Sequence, residues 1–411
     1  MLISEAIELL LKHASATKEI EKISLDKAQG RVLAENVISS LNVPPADNSA
    51  MDGYAVRSSD VASSSEKCLP ISQRIPAGST GSELQPGTAA RIFTGAPIPA
   101  GADAVVMQEI CKEEGEGEGE GEGEGEGENS VVKITGPITA RSNIRNAGED
   151  ICSGDSILQK GRKLKPQDIG LAASVGICEI SVFKQLKVGI FFTGDELREP
   201  GEVLEPGQIY NSNRYTMRGF LENLNCEVID LGIVKDSLEA TKEAMLKAAE
   251  VADVVMTSGG VSVGEEDYIR IALEEIGQLE LWRINIKPGK PLAFGKIGDT
   301  PFLGMPGNPV SVFVTFCIFA RPFILQKQGV SQIQANSFKA PAAFEWLKAG
   351  GRNEYVRARI QNGVIELYPN QSSGVLTSTT WANGLAYIPA NTTVKTGDLI
   401  EFTPFSELSV Y

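Results

Sequence analysis

Between residues 187 and 328, short apolar runs alternate with stretches of helical period. Residues 188–193, 226–231 and 253–257 have strand length. Residues 213–224, 238–249 and 265–276 space their apolar side chains along one helix face. Strands separated by helices pair in parallel, because the chain must cross back before each new strand. The segment therefore predicts a mostly parallel sheet covered by helices. Asn308 with Pro309 reads as the start of a last helix, 310–326.

The flanks have a different texture. Residues 2–14 carry Leu2, Ala6, Ile7, Leu10 and Leu11 at helical spacing. Residues 55–150 and 337–411 read as short strands between Gly, Pro and Asn turns, with 90–93 and 104–107 as strand candidates. In 151–180, Lys165-Pro166-Gln167-Asp168 reads as the start of a helix over 169–174. At 411 residues the chain needs several cores. The expected division is 1–45 with 151–180 as an N-terminal domain, 46–150 as an inserted all-β domain, 181–330 as the α/β domain and 331–411 as a C-terminal β domain.

Charge and cysteine usage remove several classes. The net charge of -15 argues against a nucleic-acid partner. Nine acidic residues lie in the Glu-Gly run 113–128, which cannot build a core and reads as a disordered insertion at a hairpin tip. The strongly apolar run 310–320 is too short to span a bilayer and ends at Arg321-Pro322. Met1-Leu2-Ile3-Ser4-Glu5 has no basic start. The expectation is a cytoplasmic protein without a membrane partner. The six cysteines form no CxxC pair and read as reduced thiols, and the single histidine, His13, leaves no Ser-His-Asp triad.

In an open α/β sheet, ligands bind outside the carboxyl ends of the strands. Thr193-Gly194-Asp195-Glu196, Asp236, Ser258-Gly259-Gly260 and Lys287-Pro288-Gly289-Lys290-Pro291 all fall there. The Pro-Gly pair predicts a type II turn, which holds its flanking residues within about 7 Å. Both are lysines, and two ammonium groups that close call for an anion. Gly259-Gly260 offers backbone N–H groups to a phosphate. The carboxylates beside it conflict with a phosphate unless Mg²⁺ bridges them, with Glu196, Asp236 and Asp267 as candidate ligands. Glu265 and Glu266 read better as favourable charge at a helix N-terminus. Met305-Pro306-Gly307-Asn308-Pro309 fits a structural helix start as well as it fits ligand contact.

Eight motifs, in order along nearly the whole chain, resemble the MoeA family of molybdopterin molybdenumtransferases, related to the E domain of gephyrin and to that of its plant counterpart. They are Pro45-Ala46-Asp47-Asn48-Ser49-Ala50-Met51-Asp52-Gly53-Tyr54-Ala55, Thr94-Gly95-Ala96-Pro97, Gly148-Glu149-Asp150, Thr193-Gly194-Asp195-Glu196-Leu197, Ile209-Tyr210-Asn211-Ser212-Asn213, the run from Ser258 through Ser262 and Asp267 to Tyr268, the Lys287 turn, and the Met305 to Pro309 segment. The resemblance implies a multidomain α/β and β fold. Its parts are a central three-layer α/β domain like that of molybdopterin adenylyltransferases, an elongated N-terminal α+β domain, an inserted all-β domain and a small C-terminal β-barrel.

It also implies a reaction. Adenylylated molybdopterin and molybdate are the substrates, Mg²⁺ assists cleavage of the adenylate, AMP leaves and the metal enters the dithiolene. The implied assembly is a homodimer. Asp52, Thr94, Arg145 and Asp150 come from one subunit, and Glu196, Asp236, Asp267, Lys287 and Lys290 from the other. By matched position the resemblance also carries over Thr193, Gly194, Asp195, Ser258, Gly259, Gly260, Ser262, Pro306 and Asn308. Arg352, Arg357 and Ser373 follow in Gly351-Arg352-Asn353-Glu354-Tyr355-Val356-Arg357 and Gln371-Ser372-Ser373-Gly374. A molybdopterin adenylyltransferase and molybdoenzyme maturation factors are the implied partners. Two other readings are an adenylyltransferase-like enzyme, whose phosphate loop carries Gly-Gly-Thr-Gly where this chain has Gly259-Gly260-Val261-Ser262, and a gephyrin-like scaffold, which would carry a further oligomerising domain.

Overall fold

The structure is a computed structural model that describes residues 2–61, 66–114, 130–261 and 268–408. The chain forms two compact units, one of residues 1–35, 160–166 and 179–411, the other of 36–159 and 167–178.

The first unit is built on a six-stranded sheet. Its elements are β1 (Lys187–Thr193), α1 (Ser212–Asn223), β2 (Glu227–Val234), α2 (Leu238–Val251), β3 (Val254–Ser258), α3 (Tyr268–Ile276), β4 (Gln278–Arg283), β5 (Pro291–Ile297) and β6 (Thr300–Met305). The strand order is β2-β1-β3-β6-β5-β4. The first four run parallel, as the alternating pattern predicts, while β5 is antiparallel to both β6 and β4. The tight β5–β6 hairpin, turning at Gly298, replaces a crossover helix and reverses one strand. Every residue of β1 after Lys187 is buried, as expected for a strand covered on both faces.

The last helical stretch matches its expected span, 310–326, to within one residue at each end. It runs through α4 (Pro309–Thr315), a π-turn at Phe316–Ala320 and α5 (Arg321–Lys327). Arg321-Pro322 does not end it. The π-turn changes the hydrogen-bond pattern just before the proline, where an ordinary turn would lose a bond to the missing N–H. The resulting helix Pro309–Lys327 is long and apolar enough to cross a membrane, yet 78% of it is buried inside the fold. Phe316 stacks on Phe220 at 4.5 Å, and Phe313 meets the same ring edge-on at 5.1 Å. Against this core packs the N-terminal helix Ile3–Lys12, through Ile3, Ala6 and Leu10, with Leu2 left exposed.

The C-terminal strands Phe338–Pro341, Asn353–Gln361, Val364–Leu367, Gly384–Ile388 and Leu399–Pro404 form a second sheet. A bridge between Ala342 and Ile365 closes it into a small barrel. The barrel sheet also recruits Ile286–Lys287 from the α/β segment, in parallel register with Asn353 and Glu354.

The second unit holds a six-stranded, mostly antiparallel sheet. Its order is Ala104–Met107, Gly53–Val56, Ala89–Ile92, Glu66–Ile75, Val131–Thr135 and Cys111–Glu114. Gly53 is obligatory there, since a Cβ would overlap the Val106 carbonyl. Glu113 and Glu114, the first acids of the Glu-Gly run, are strand residues paired with Val132 and Val131 rather than loop. Residues 115–128 of that run lie outside the described residues.

Candidate functional site

Strand order reverses between β1 and β3, because β2 lies on one side of β1 and all later strands on the other. Such a switch point opens a crevice at the carboxyl edge. Here it forms a cavity of about 1010 Å³. Loops after β1, β2, β3, β4 and β6 line it, together with Arg352 and residues 371–374 of the barrel.

Two glycines permit the close approach of β1 and β3. Gly259 has φ +101°, and a Cβ there would lie 2.5 Å from the Thr193 carbonyl oxygen. Gly260 has φ +62°, with its Cβ position 2.7 Å from Ile269 Cγ1. Side chains then tie the loops together. Asn213 Nδ2 donates to Ser258 Oγ at 2.9 Å and to the Gly307 carbonyl at 2.7 Å, and Ser258 Oγ donates to the Pro306 carbonyl at 2.8 Å. The Met305 to Pro309 segment is thus part of the cavity wall. Asn308 stands at the helix start without a side-chain capping bond, and it lines the cavity.

Three buried polar atoms of lining residues have no partner among the described residues: Thr193 Oγ1, Asn211 Nδ2 and Asn213 Oδ1. A buried polar group left unpaired costs about 1–3 kcal/mol, so this wall suits a polar ligand. Asn211 and Asn213 stand in one of the eight motifs, where the sequence gives them no role of their own. Asn-Ser-Asn before a helix reads as a cap, and Asn211 Oδ1 does accept the Arg214 N–H at 3.2 Å. Behind the wall, Arg214 bonds Asp230 at 2.8 Å and Glu199 at 2.7 Å, bracing the loop after β1.

Charge in the cavity is divided. Glu196, after β1, and Asp236, after β2, supply the acidic end. Gly194, at φ +146°, leaves room for the Glu196 carboxylate, which would stand 2.6 Å from a Cβ at that position. Asp195 does not line the cavity; its Oδ1 accepts the Asp236 N–H at 3.4 Å. Ser262 and Asp267 lie outside the described residues, as do Glu265 and Glu266. Among the described residues no three His, Cys, Asp or Glu side chains cluster as a metal site.

Lys287, Lys290 and Arg352 supply the cationic end. The Lys287–Pro288 peptide is cis, which the sequence did not announce. Gly289 takes φ +100°, and Ile284 N–H donates to the Lys290 carbonyl at 3.0 Å. The lysines are not a bare pair of cations. Lys287 Nζ lies 3.0 Å from Oε2 of the buried Glu354.

Ser373 lines the cavity, and its carbonyl accepts the Val310 N–H at 3.0 Å. Arg357 lies behind it and does not reach the cavity. Its guanidinium donates to Ser378 Oγ at 3.0 Å and to the Ser372 carbonyl at 3.1 Å, and burial pushes its pKa down to about 10. Gln371, unremarked in sequence beyond its motif, accepts the Arg357 N–H at 3.0 Å and returns a bond to the Arg357 carbonyl at 2.9 Å.

The remaining candidates belong to the second unit. Asp52 Oδ1 accepts the Thr94 N–H at 2.7 Å and the Thr94 hydroxyl at 2.8 Å, and these bonds hold its pKa below the usual carboxylate value. Arg145 pairs in antiparallel register with Asn48, and Asp150 donates its N–H to the Val43 carbonyl at 3.0 Å.

Fold and site together define an α/β protein with a polar cavity at its switch point, between an acidic and a cationic wall. Comparison with known proteins narrows that class. Models of the MoeA N-terminal region (domain I and II), a probable molybdopterin binding domain and the MoeA C-terminal region (domain IV) match residues 1–176, 189–326 and 339–405. The molybdopterin molybdenumtransferase of Haemophilus influenzae is 40% identical over 422 residues, covering 99% of each chain. That of Nostoc is 35% identical over 398 residues, 93% of this chain and 88% of the other. The crystal structure of the molybdopterin biosynthesis moeA protein from Pyrococcus horikoshii matches with a TM-score of 0.84 at 30% identity, over 98% and 99% of the two chains. The chain belongs to the MoeA family of molybdopterin molybdenumtransferases.

Proposed function

We propose that this chain is a molybdopterin molybdenumtransferase that inserts molybdenum into adenylylated molybdopterin, with Mg²⁺-dependent cleavage of the adenylate and release of AMP. The observation that carries the reading is the division of one cavity into a carboxylate end and a cationic end. A phosphate ester needs charge neutralisation, and a tetrahedral dianion needs cations.

The residues divide the task accordingly. Gly259 and Gly260 line the cavity, and the Gly260 N–H is the backbone donor for phosphate, since the Gly259 N–H donates to the Met305 carbonyl at 3.3 Å. Glu196 and Asp236 fit a Mg²⁺ site, as this ion commonly takes one or two carboxylates and completes its shell with phosphate and water. Asp267 is the proposed third ligand. Mg²⁺, when bound, would supply charge neutralisation on the phosphate. Thr193, Asn211 and Asn213 present unpaired polar atoms that orient a polar substrate. Lys287, Lys290, Arg352 and Ser373 hold molybdate. The attacking group is water or a molybdate oxygen, and the phosphoanhydride P–O bond breaks to free AMP.

The reading extends to assembly. In a homodimer, Asp52, Thr94, Arg145 and Asp150 of a second copy would complete the site. A molybdopterin adenylyltransferase would deliver the substrate, maturation factors of molybdoenzymes would take the product, and the setting would be cytoplasmic.

The test is incubation with adenylylated molybdopterin, Mg²⁺ and molybdate while AMP release is followed. The expected result is AMP release that needs Mg²⁺ and is coupled to molybdenum insertion. No AMP, or release indifferent to both ions, would overturn the reading.

A further inference from the structure

Glu354 was quoted in a motif without a role, and the geometry gives it one. Its strand pairs in parallel with Ile286–Lys287, and Glu354 is the register partner of Lys287. The same residue pairs with Ile388 on its other side, so its backbone is fixed within the barrel sheet. The carboxylate is nearly enclosed, with 8% of the side chain exposed, whereas Lys287 keeps 45% and faces the cavity. Gly350 makes room for it, since a Cβ there would lie 2.9 Å from Glu354 Oε1. The loop that wraps the carboxylate also carries Arg352 to the cavity wall.

An enclosed charge is weakly screened, so Glu354 acts on its neighbours more strongly than a surface carboxylate would. Lys287, Lys290 and Arg352 bring three positive charges to this wall, and Glu354 cancels one. Two remain, the number that balances a doubly charged tetrahedral oxyanion.

We propose that Glu354 is a positioning residue that competes with the bound oxyanion for the Lys287 ammonium, and thereby sets how tightly the cationic end holds that oxyanion. The idea rests on the assignment of this end to molybdate. At rest the carboxylate keeps Lys287 against the barrel wall, pointed at the cavity. When the oxyanion arrives, the ammonium is shared between the two anions. The oxyanion is held loosely enough to be passed on.

Calorimetric titration of the full-length protein with molybdate tests this. Glu354→Gln keeps the shape and the hydrogen-bond acceptor but removes the competing charge. It should tighten molybdate binding roughly tenfold, raise sulfate affinity similarly and steepen the dependence on ionic strength. In turnover it should lower the KM for molybdate without raising kcat. In a Lys287→Met background the same change should give twofold or less. If Glu354→Gln does not fold, Glu354→Asp, which withdraws the carboxylate but keeps its charge, should show a smaller tightening. Unchanged or weaker binding in a folded variant, with the wild type binding normally, overturns this role alone. A wild type that binds no oxyanion overturns both this role and the molybdate assignment.

Discussion

The two ends of the crevice are built by different means. The acidic end, Glu196 and Asp236, stands on loops leaving adjacent parallel strands, and its shape comes from glycine backbone and strand order. The cationic end is assembled from two segments 62 or more residues apart in sequence, Lys287 and Lys290 on one side and Arg352 and Ser373 on the other, joined across the Lys287–Glu354 pair. The first is a property of the sheet. The second exists only because a barrel strand captures two residues from the α/β segment. A site of this kind can keep one chemistry while the other fails, and substitution should show it.

The largest effects should separate the two ends. Lys287→Ala should cut molybdenum insertion, and the AMP release coupled to it, by about 10²–10³-fold, while the residual release keeps its requirement for Mg²⁺. Asp236→Asn should do the reverse, abolishing the Mg²⁺ response and leaving oxyanion binding near wild type. If both variants lose the Mg²⁺ response and oxyanion binding equally, the ends are not separate. Next comes Gly259→Ala, which forces an L-residue to φ +101° and drives its Cβ against Thr193. A loss of about 2–4 kcal/mol in urea unfolding is expected, with the cationic end still able to bind an oxyanion.

A smaller effect should follow at the barrel. Arg357→Met strips the Ser372 carbonyl of its donor but also removes a buried charge. The net cost should be about 1–2 kcal/mol, accompanied by weaker oxyanion binding and an intact Mg²⁺ response. The smallest effect concerns Asp52, outside both ends. Its pKa is lowered by the two Thr94 bonds, so this stabilisation is complete above the ordinary value of 3.8 and is lost as pH falls through the lowered one. Thr94→Val should move the Asp52 titration back toward 3.8, measurable by carboxyl NMR.

The same contrast explains what sequence reading reached. The parallel half of the sheet was legible because each strand is a buried apolar run and each helix shows its period. Thr193, Glu196, Asp236 and Gly259 could be placed at one edge from that alone. The antiparallel half was less visible, since a hairpin at Gly298 and a crossover leave similar apolar runs. The helix over 310–326 was legible through Pro322, but no residue pattern announces the π-turn at Phe316–Ala320 on the way. The isomer of the Lys287–Pro288 bond and the Glu354 partner are set by tertiary packing, so the lysine turn looked like a bare pair of cations. Asn211 and Asn213 were hidden by a second meaning, because capping residues and ligand-binding residues share one chemistry.

The claim that the two ends are distinct sites is tested most directly by anomalous diffraction from crystals soaked in tungstate, a heavy analogue of molybdate. The account predicts one strong peak within hydrogen-bonding distance of Lys287, Lys290 or Arg352, and none at Glu196 and Asp236. A peak at the carboxylates, or none beside the lysines, would contradict it.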